Sequence, residues 1–306
     1  MSAQLSEDNP HTLLRPAIAL PFLLVALIWG STWYVITGQI SDVPASWSIT
    51  YRFALATPAM FVVALAMGRS LAIGRAGHGL AVFIGLTQFC LNFNFVYRAE
   101  LHLTSGVVAV MFGLLMVPNV LFGRLILKQP VTARFLAGSS VAIAGIALLL
   151  LHEARLSPLG GNVGLGVLLA IGGILAASIA NVVQANETGR ALPMVSLLAW
   201  SMLYGTIIDF GLAWITAGPP VFPDRWDYWA GAAWLGLAGS VVTFPLYYTI
   251  VRTIGAGRAA YNSVMVIIVA MLISTFVEGY QWSWLAAGGG VLALSGMVLA
   301  LRARKS

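Results

Sequence analysis

The stretch PAIALPFLLVALIWGSTWYVI, Pro16 to Ile36, contains no charged residue. An α-helix rises about 1.5 Å per residue, so a run of about 20 apolar residues matches the ~30 Å hydrocarbon layer of a bilayer. The run is longer than the apolar region of a secretory signal peptide, and no small-residue cleavage site follows in TGQISDVPASW, residues 37–47. It reads as a retained transmembrane helix over about 16 to 38. Nine stretches of the same character follow, at about 47 to 67, 79 to 99, 104 to 123, 133 to 151, 164 to 184, 194 to 217, 228 to 250, 258 to 277 and 284 to 301. None alternates with period 2. This excludes a closed barrel, the other way a chain satisfies its backbone hydrogen bonds in hydrocarbon. The expected fold class is all-α integral membrane, with ten transmembrane helices in one domain over 1–306. A composition of 59% hydrophobic and 8% charged residues, with mean hydropathy +0.91, agrees.

Basic residues set the orientation, because basic loops resist translocation. With a cytoplasmic N-terminus, 12 of the 16 Lys and Arg fall on the inner side: Arg15, Arg69, Arg75, Arg124, Lys128, Arg134, Arg190, Arg252, Arg258, Arg302, Arg304 and Lys305. Arg98, Arg155 and Arg225 fall in outer loops, and Arg52 inside a span. Both termini are expected in the cytoplasm, with the protein in the inner (plasma) membrane. The net charge of +6 is then topology spread over loops, not a continuous patch for nucleic acid. The single cysteine, Cys90, lies mid-span and cannot form an internal disulfide.

Five spans per half is an odd number, so related halves must have opposite orientation. VYRAELHLTSGVVAV (96–110) and YYTIVRTIGAGRAAY (247–261) share an aromatic span end, a basic residue, a corner with Gly106 or Gly257, and a small-residue helix start. Gly138 and Gly145 in the fifth span are matched by Gly289 and Gly296 in the tenth, spaced so that helices can approach closely. Two inverted-topology five-helix repeats are therefore expected, about 16–151 and 164–302, joined by a hinge loop at about 152–163. Such repeats place a binding site near the bilayer midplane.

IWGSTW at Ile28–Trp33 is similar to the first-helix signature of the drug/metabolite transporter superfamily, EamA type. YRF at Tyr51–Phe53 and the repeated corner fit the same family, and the chain resembles its ten-helix aromatic and amino-acid exporters along nearly its whole length. One departure is Lys128, where that family often has a glutamate after the fourth helix; Glu278 keeps it after the ninth. The resemblance implies a secondary transporter that exports small amphipathic metabolites, amino acids foremost and aromatic ones among them. The inverted repeat implies alternating access.

The polar residues inside the spans are the candidate site. Gln88, Asn92, Asn94 and Tyr97 lie in the third span, Ser178, Asn181 and Gln184 in the sixth, and Tyr261, Asn262 and Ser263 in the ninth. Aromatics join them in the first span (Trp29, Trp33, Tyr34) and the eighth (Phe244, Tyr247, Tyr248). Amides and aromatic faces suit an amphipathic ligand; singly, each amide could instead be an interhelical hydrogen bond. The expected substrate contacts are Trp33, Asn94, Tyr97, Asn181, Tyr248, Tyr261 and Asn262. Arg52 and Asp209 are the expected intraspan charges, read either as a gate or head-group contact or as a structural ion pair. Pro118 and Pro245 withhold backbone donors from the carbonyls of Leu114 and Val241 and are candidate bends or hinges; a static kink is the alternative.

His11, His78, His102 and His152 fall in loops or span ends without a Cys or carboxylate cluster, so no metal site is expected. No phosphate loop occurs and no cofactor is expected. A sugar-phosphate or nucleotide-sugar exchanger would need mid-membrane lysines, but the lysines are Lys128 and Lys305. An integral membrane enzyme on lipid-linked substrates would need acid, base or metal groups that the spans lack. The expected partners are a small-molecule substrate and the lipid bilayer. Oligomeric state is not legible.

Overall fold

The computed structural model describes residues 16–128, 131–156, 161–254 and 261–302. The chain forms α1 (Pro16–Gln39), α2 (Ala45–Ala66), α3 (Gly74–Ala99), α4 (105–127), α5 (Ala133–Leu156), α6 (Val163–Val183), α7 (Met194–Ala217), α8 (226–254), α9 (Tyr261–Phe276) and α10 (Trp284–Arg302). A short turn of helix, Glu187–Ala191, joins α6 to α7. Among the described residues nine of these helices are long and apolar enough to cross a membrane, and α9 is shorter. Its expected beginning at 258 lies outside the described residues. Leu20, Leu125, Leu168 and Ile215 project outward, exposed, as suits an apolar surround. The protein is an all-α, multi-pass integral membrane protein.

The expected hinge loop is corrected at its start. Helix α5 runs to Leu156, so His152, Glu153 and Arg155 are helical. Glu153 is stabilised there because one carboxylate oxygen accepts from the backbone N–H of Thr104 at 2.8 Å. Arg98, expected in an outer loop, sits in the last turn of α3, where its guanidinium donates to Asn94 Oδ1 at 2.5 Å. Asn162 caps α6 by accepting from the N–H of Leu165 at 3.0 Å.

Two packing pairs set chain direction. Gly138 faces Ala300 and Gly296, whereas Gly145 faces Ala293 and Gly289, so α5 and α10 are antiparallel and in backbone contact. A Cβ on Gly145 would lie 2.3 Å from the backbone N of Ala293, so nothing larger than glycine fits without moving a helix. Asn262 donates to the Phe22 carbonyl and Gly30 meets Val266 and Val269, so α1 and α9 run parallel. Pro16 and Arg302 therefore share one end of the bundle, here the terminal side. The ends of α3, α5 and α9 lie on the opposite, distal side.

Three helices depart from α geometry near the centre. Helix α4 narrows to a 3-10 turn at Gly113–Leu115, immediately before Pro118, which has no N–H for the Leu114 carbonyl. Helix α3 is π-helical over Gly85–Asn92 and α8 over Trp234–Val242, the latter ending just before Pro245. Such wide turns insert an extra residue and leave backbone groups free to bond elsewhere.

Candidate functional site

The irregular segments converge on a central cavity of about 260 Å³. Helix α1 contributes Trp29, Thr32, Trp33 and Ile36, residues three and four apart that share one face. Helix α3 contributes Gln88, Asn92, Phe93 and Val96, and the break in α4 supplies Phe112, Gly113, Leu115 and Asn119. Ala177 and Asn181 of α6, Gly239, Phe244 and Tyr247 of α8, and Ser263, Val266 and Ile267 of α9 complete the wall. The π-helical Gly239 carbonyl accepts from Trp29 Nε1 at 3.2 Å and from Thr243 Oγ1 at 2.8 Å, tying α8 to α1. The Trp29 ring lies 5.7 Å from Phe244 and 5.1 Å from Tyr247, and Trp33 lies 5.1 Å from Phe112.

Arg52 of α2 is the charge in this wall. It is 3% exposed, donates from Nη2 to Ser240 Oγ at 3.2 Å and from Nη1 to the Tyr97 hydroxyl at 3.4 Å, and lies 4.3 Å over the Phe93 ring. Among the described residues no carboxylate forms a salt bridge with it, and its Nε has no hydrogen-bond partner. The Oδ1 atoms of Asn92 and Asn119 are likewise buried without a partner. A buried guanidinium without a carboxylate is costly unless polar groups or a ligand anion compensate it. Two hydroxyls and an aromatic face are the compensation supplied by the chain itself.

Of the expected contacts, Trp33 and Asn181 line the cavity. Asn94 does not: it is turned to α7, where Nδ2 donates to Asp209 Oδ1 at 2.8 Å and Oδ1 accepts from Arg98. Tyr97 is fully buried and accepts a hydrogen bond from Arg52. Asn262 is fully buried, bonded to α1, and Tyr261 packs against the apolar core; neither lines the wall. The side chain of Tyr248 lies outside the described residues, and its neighbour Tyr247 is in the wall. Arg52 and Asp209, offered together as an ion pair or as gates, are separated in space: Arg52 faces the cavity and Asp209 the α3–α7 contact. Gly113 and Leu115, next to Pro118, line the cavity, as does Phe244, next to Pro245.

The lining of α3 has a sequence signal. Gln88 and Asn92 are four apart and share a face of α3, and Asn94 is about 200° around the helix from Asn92. Asn119 and Phe112 are not among the expected polar or aromatic groups, although seven residues, about two turns, put them on one face of α4.

Solved structures share this architecture. One crystal structure superposes with a TM-score of 0.67 at 20% identity, covering 94% of this chain and 98% of that one, a likeness of fold. Protein PagO of Salmonella typhimurium (strain LT2) is 21% identical over 269 residues, 88% of each chain. An uncharacterized transporter of Buchnera aphidicola subsp. Schizaphis graminum is 20% identical over 138 residues, 45% of this chain and 46% of its own. The EamA-like transporter family matches residues 17–151 and again 164–302, and the chain belongs to that family of membrane transporters of small molecules, which are not enzymes.

Proposed function

We propose that this transporter exports small amphipathic metabolites carrying a carboxylate, amino acids foremost and aromatic ones included. The observation that carries the reading is Arg52. A cation buried in the cavity wall without a carboxylate partner among the described residues favours an anionic group, and a guanidinium fork fits a carboxylate in two parallel hydrogen bonds. Trp29, Trp33, Phe112, Phe244 and Tyr247 supply apolar faces for the rest of the molecule. A sugar phosphate would bring up to two negative charges to a wall with one basic residue among its described lining, so phosphorylated substrates are disfavoured.

Alternating access between two inverted five-helix repeats fits three features. The π-helical segments occupy third place in each set of five helices, the family matches twice, and α5 and α10 meet through paired glycines. The basic residues on the terminal side support a cytoplasmic position for that side, in an inner-membrane protein. Counterflow in reconstituted liposomes tests the whole reading. Amino acids preloaded inside are expected to accelerate uptake of labelled amino acid, and inhibition by a sugar phosphate at lower concentration than by any amino acid overturns it.

A further inference from the structure

A second cavity, about 480 Å³, lies at the distal side, beyond the central one. The two are in register along three helices. Trp33, Val96 and Ala109 line the central cavity, and Thr37, Glu100 and Ser105, each four residues nearer the distal end, line the second. Residues four apart share a helix face and are separated by roughly 6 Å of rise, so the cavities are successive chambers along one line.

The distal chamber is acidic. Glu100, Glu153 and Glu278 line it, and among the described residues no Lys or Arg does. Glu153 accepts from the Thr104 N–H at 2.8 Å and Glu278 from Ser105 Oγ at 2.7 Å. Glu100 is 3% exposed, and neither of its carboxyl oxygens has a partner. Glu153 Oε2, Thr104 Oγ1 and the Tyr280 hydroxyl, also in the chamber and on residues more than nine-tenths buried, are unpartnered too. Buried polar atoms are ordinarily hydrogen-bonded, so three unpartnered carboxyl oxygens and two hydroxyls around one void describe a ligand that donates hydrogen bonds. No group of three metal-ligating side chains among the described residues is placed to hold a metal ion. A primary ammonium brings three N–H donors and a positive charge, and it fits a void of this size with its carbon chain attached.

We propose that the distal chamber is a second binding station, taking the ammonium group of the cargo on its way out. This rests on the amino-acid reading of the central cavity: Arg52 holds the carboxylate in one chamber, and the three glutamates receive the amine in the next.

The test separates the two chambers by probe. Purified full-length protein is titrated calorimetrically with n-butylamine, which has the amine alone, and with butyrate, which has the carboxylate alone. Butylamine is expected to bind the wild-type protein and to bind Glu278→Gln roughly tenfold more weakly or worse, as expected for loss of a charge-assisted hydrogen bond, and to bind Glu100→Gln more weakly than wild type. Glu278 is only partly buried, so Glu278→Gln provides a readout if Glu100→Gln fails to fold. Equal butylamine affinity in wild type and Glu278→Gln overturns the station, as does a wild-type protein that binds no butylamine. Butyrate that fails to bind the wild-type protein counts against the central-cavity reading and leaves the station standing.

Discussion

The Tyr97 hydroxyl accepts a hydrogen bond from Arg52 Nη1 at 3.4 Å, while Ser240 Oγ takes the other terminal nitrogen at 3.2 Å. The guanidinium is thus held from α3 and α8 at once, its central carbon 4.3 Å over the Phe93 ring. Replacing Arg52 by Gln is expected to weaken apparent affinity for amino acids by roughly 10- to 100-fold, the worth of a charge-assisted hydrogen bond. Tyr97→Phe leaves the charge but frees its orientation, with a loss of roughly two- to tenfold. Liposome uptake over a substrate concentration series measures both. Unchanged affinity in Arg52→Gln removes the carboxylate anchor.

Lining residues and interhelical residues should separate in one pair of assays. Asn181→Ala is expected to weaken affinity with near-normal melting, since Asn181 lines the cavity outside the packed apolar clusters. Asn94→Ala is expected to lower stability by about 1–3 kcal/mol, because it strips Asp209 of the Asn94 amide donor and leaves a buried carboxylate oxygen unsatisfied. Melting in detergent alongside uptake decides. An Asn94 variant that melts normally but loses affinity would move the site to the other face of α3.

Gly145→Leu should be poorly tolerated. Its Cβ would fall 2.3 Å from the backbone N of Ala293, so α5 and α10 must part and lose contact along their length. Gly38 is the control: a methyl group there would meet no atom within 4 Å, and Gly38→Ala should be neutral to within about 0.5 kcal/mol. Membrane abundance and melting temperature report the difference.

Glu100 predicts a pH dependence. Burial foremost, then the Glu278 carboxyl, hold its carboxyl well above the usual glutamate range, with Arg52 pulling the other way. Glu153 and the Tyr280 hydroxyl share its chamber, Tyr97 lies one turn below, and His152 stands against Tyr280. A carboxyl whose folded pKa is raised binds more protons when folded. The stability it contributes is present below its ordinary value of 4.5 and is lost as pH rises through the raised value. Melting temperature in detergent should fall as pH rises across that window, and Glu100→Gln should flatten the slope. An equal slope in the variant would assign the dependence to another group.

Sidedness is tested by labelling single cysteines in intact cells after Cys90 is replaced. Ser283→Cys, at the distal side, should react with a membrane-impermeant maleimide, and Ser306→Cys should not. Modification of Ser306→Cys from outside would overturn the cytoplasmic termini and the direction of export together.

Length and apolarity are local properties, and a bilayer imposes them on each segment separately. The stretch from Pro16 to Ile36 therefore declares itself a membrane helix without reference to any other part of the chain. The glycines of α5 and α10 were legible for a related reason, since only close approach of two helices explains small residues spaced two turns apart. Facing is not local. Whether Asn92 or Asn94 meets the cavity depends on which side of α3 is turned to α7, and each residue rotates the direction by about 100°. The π-helical turns of α3 and α8 and the 3-10 turn of α4 shift that phase within the membrane. Asn119 and Phe112, two turns apart on one face of α4, enter the wall because packing turns that face to the cavity. The distal carboxylates are the extreme case: Glu100, Glu153 and Glu278 come from the ends of three separate helices and acquire a common chamber only when those ends pack. The amino-acid sequence alone determined which segments enter the membrane, because that is a transfer free energy summed over one helix. Tertiary packing alone decided which polar groups meet, because that depends on the rotation of each helix against its neighbours.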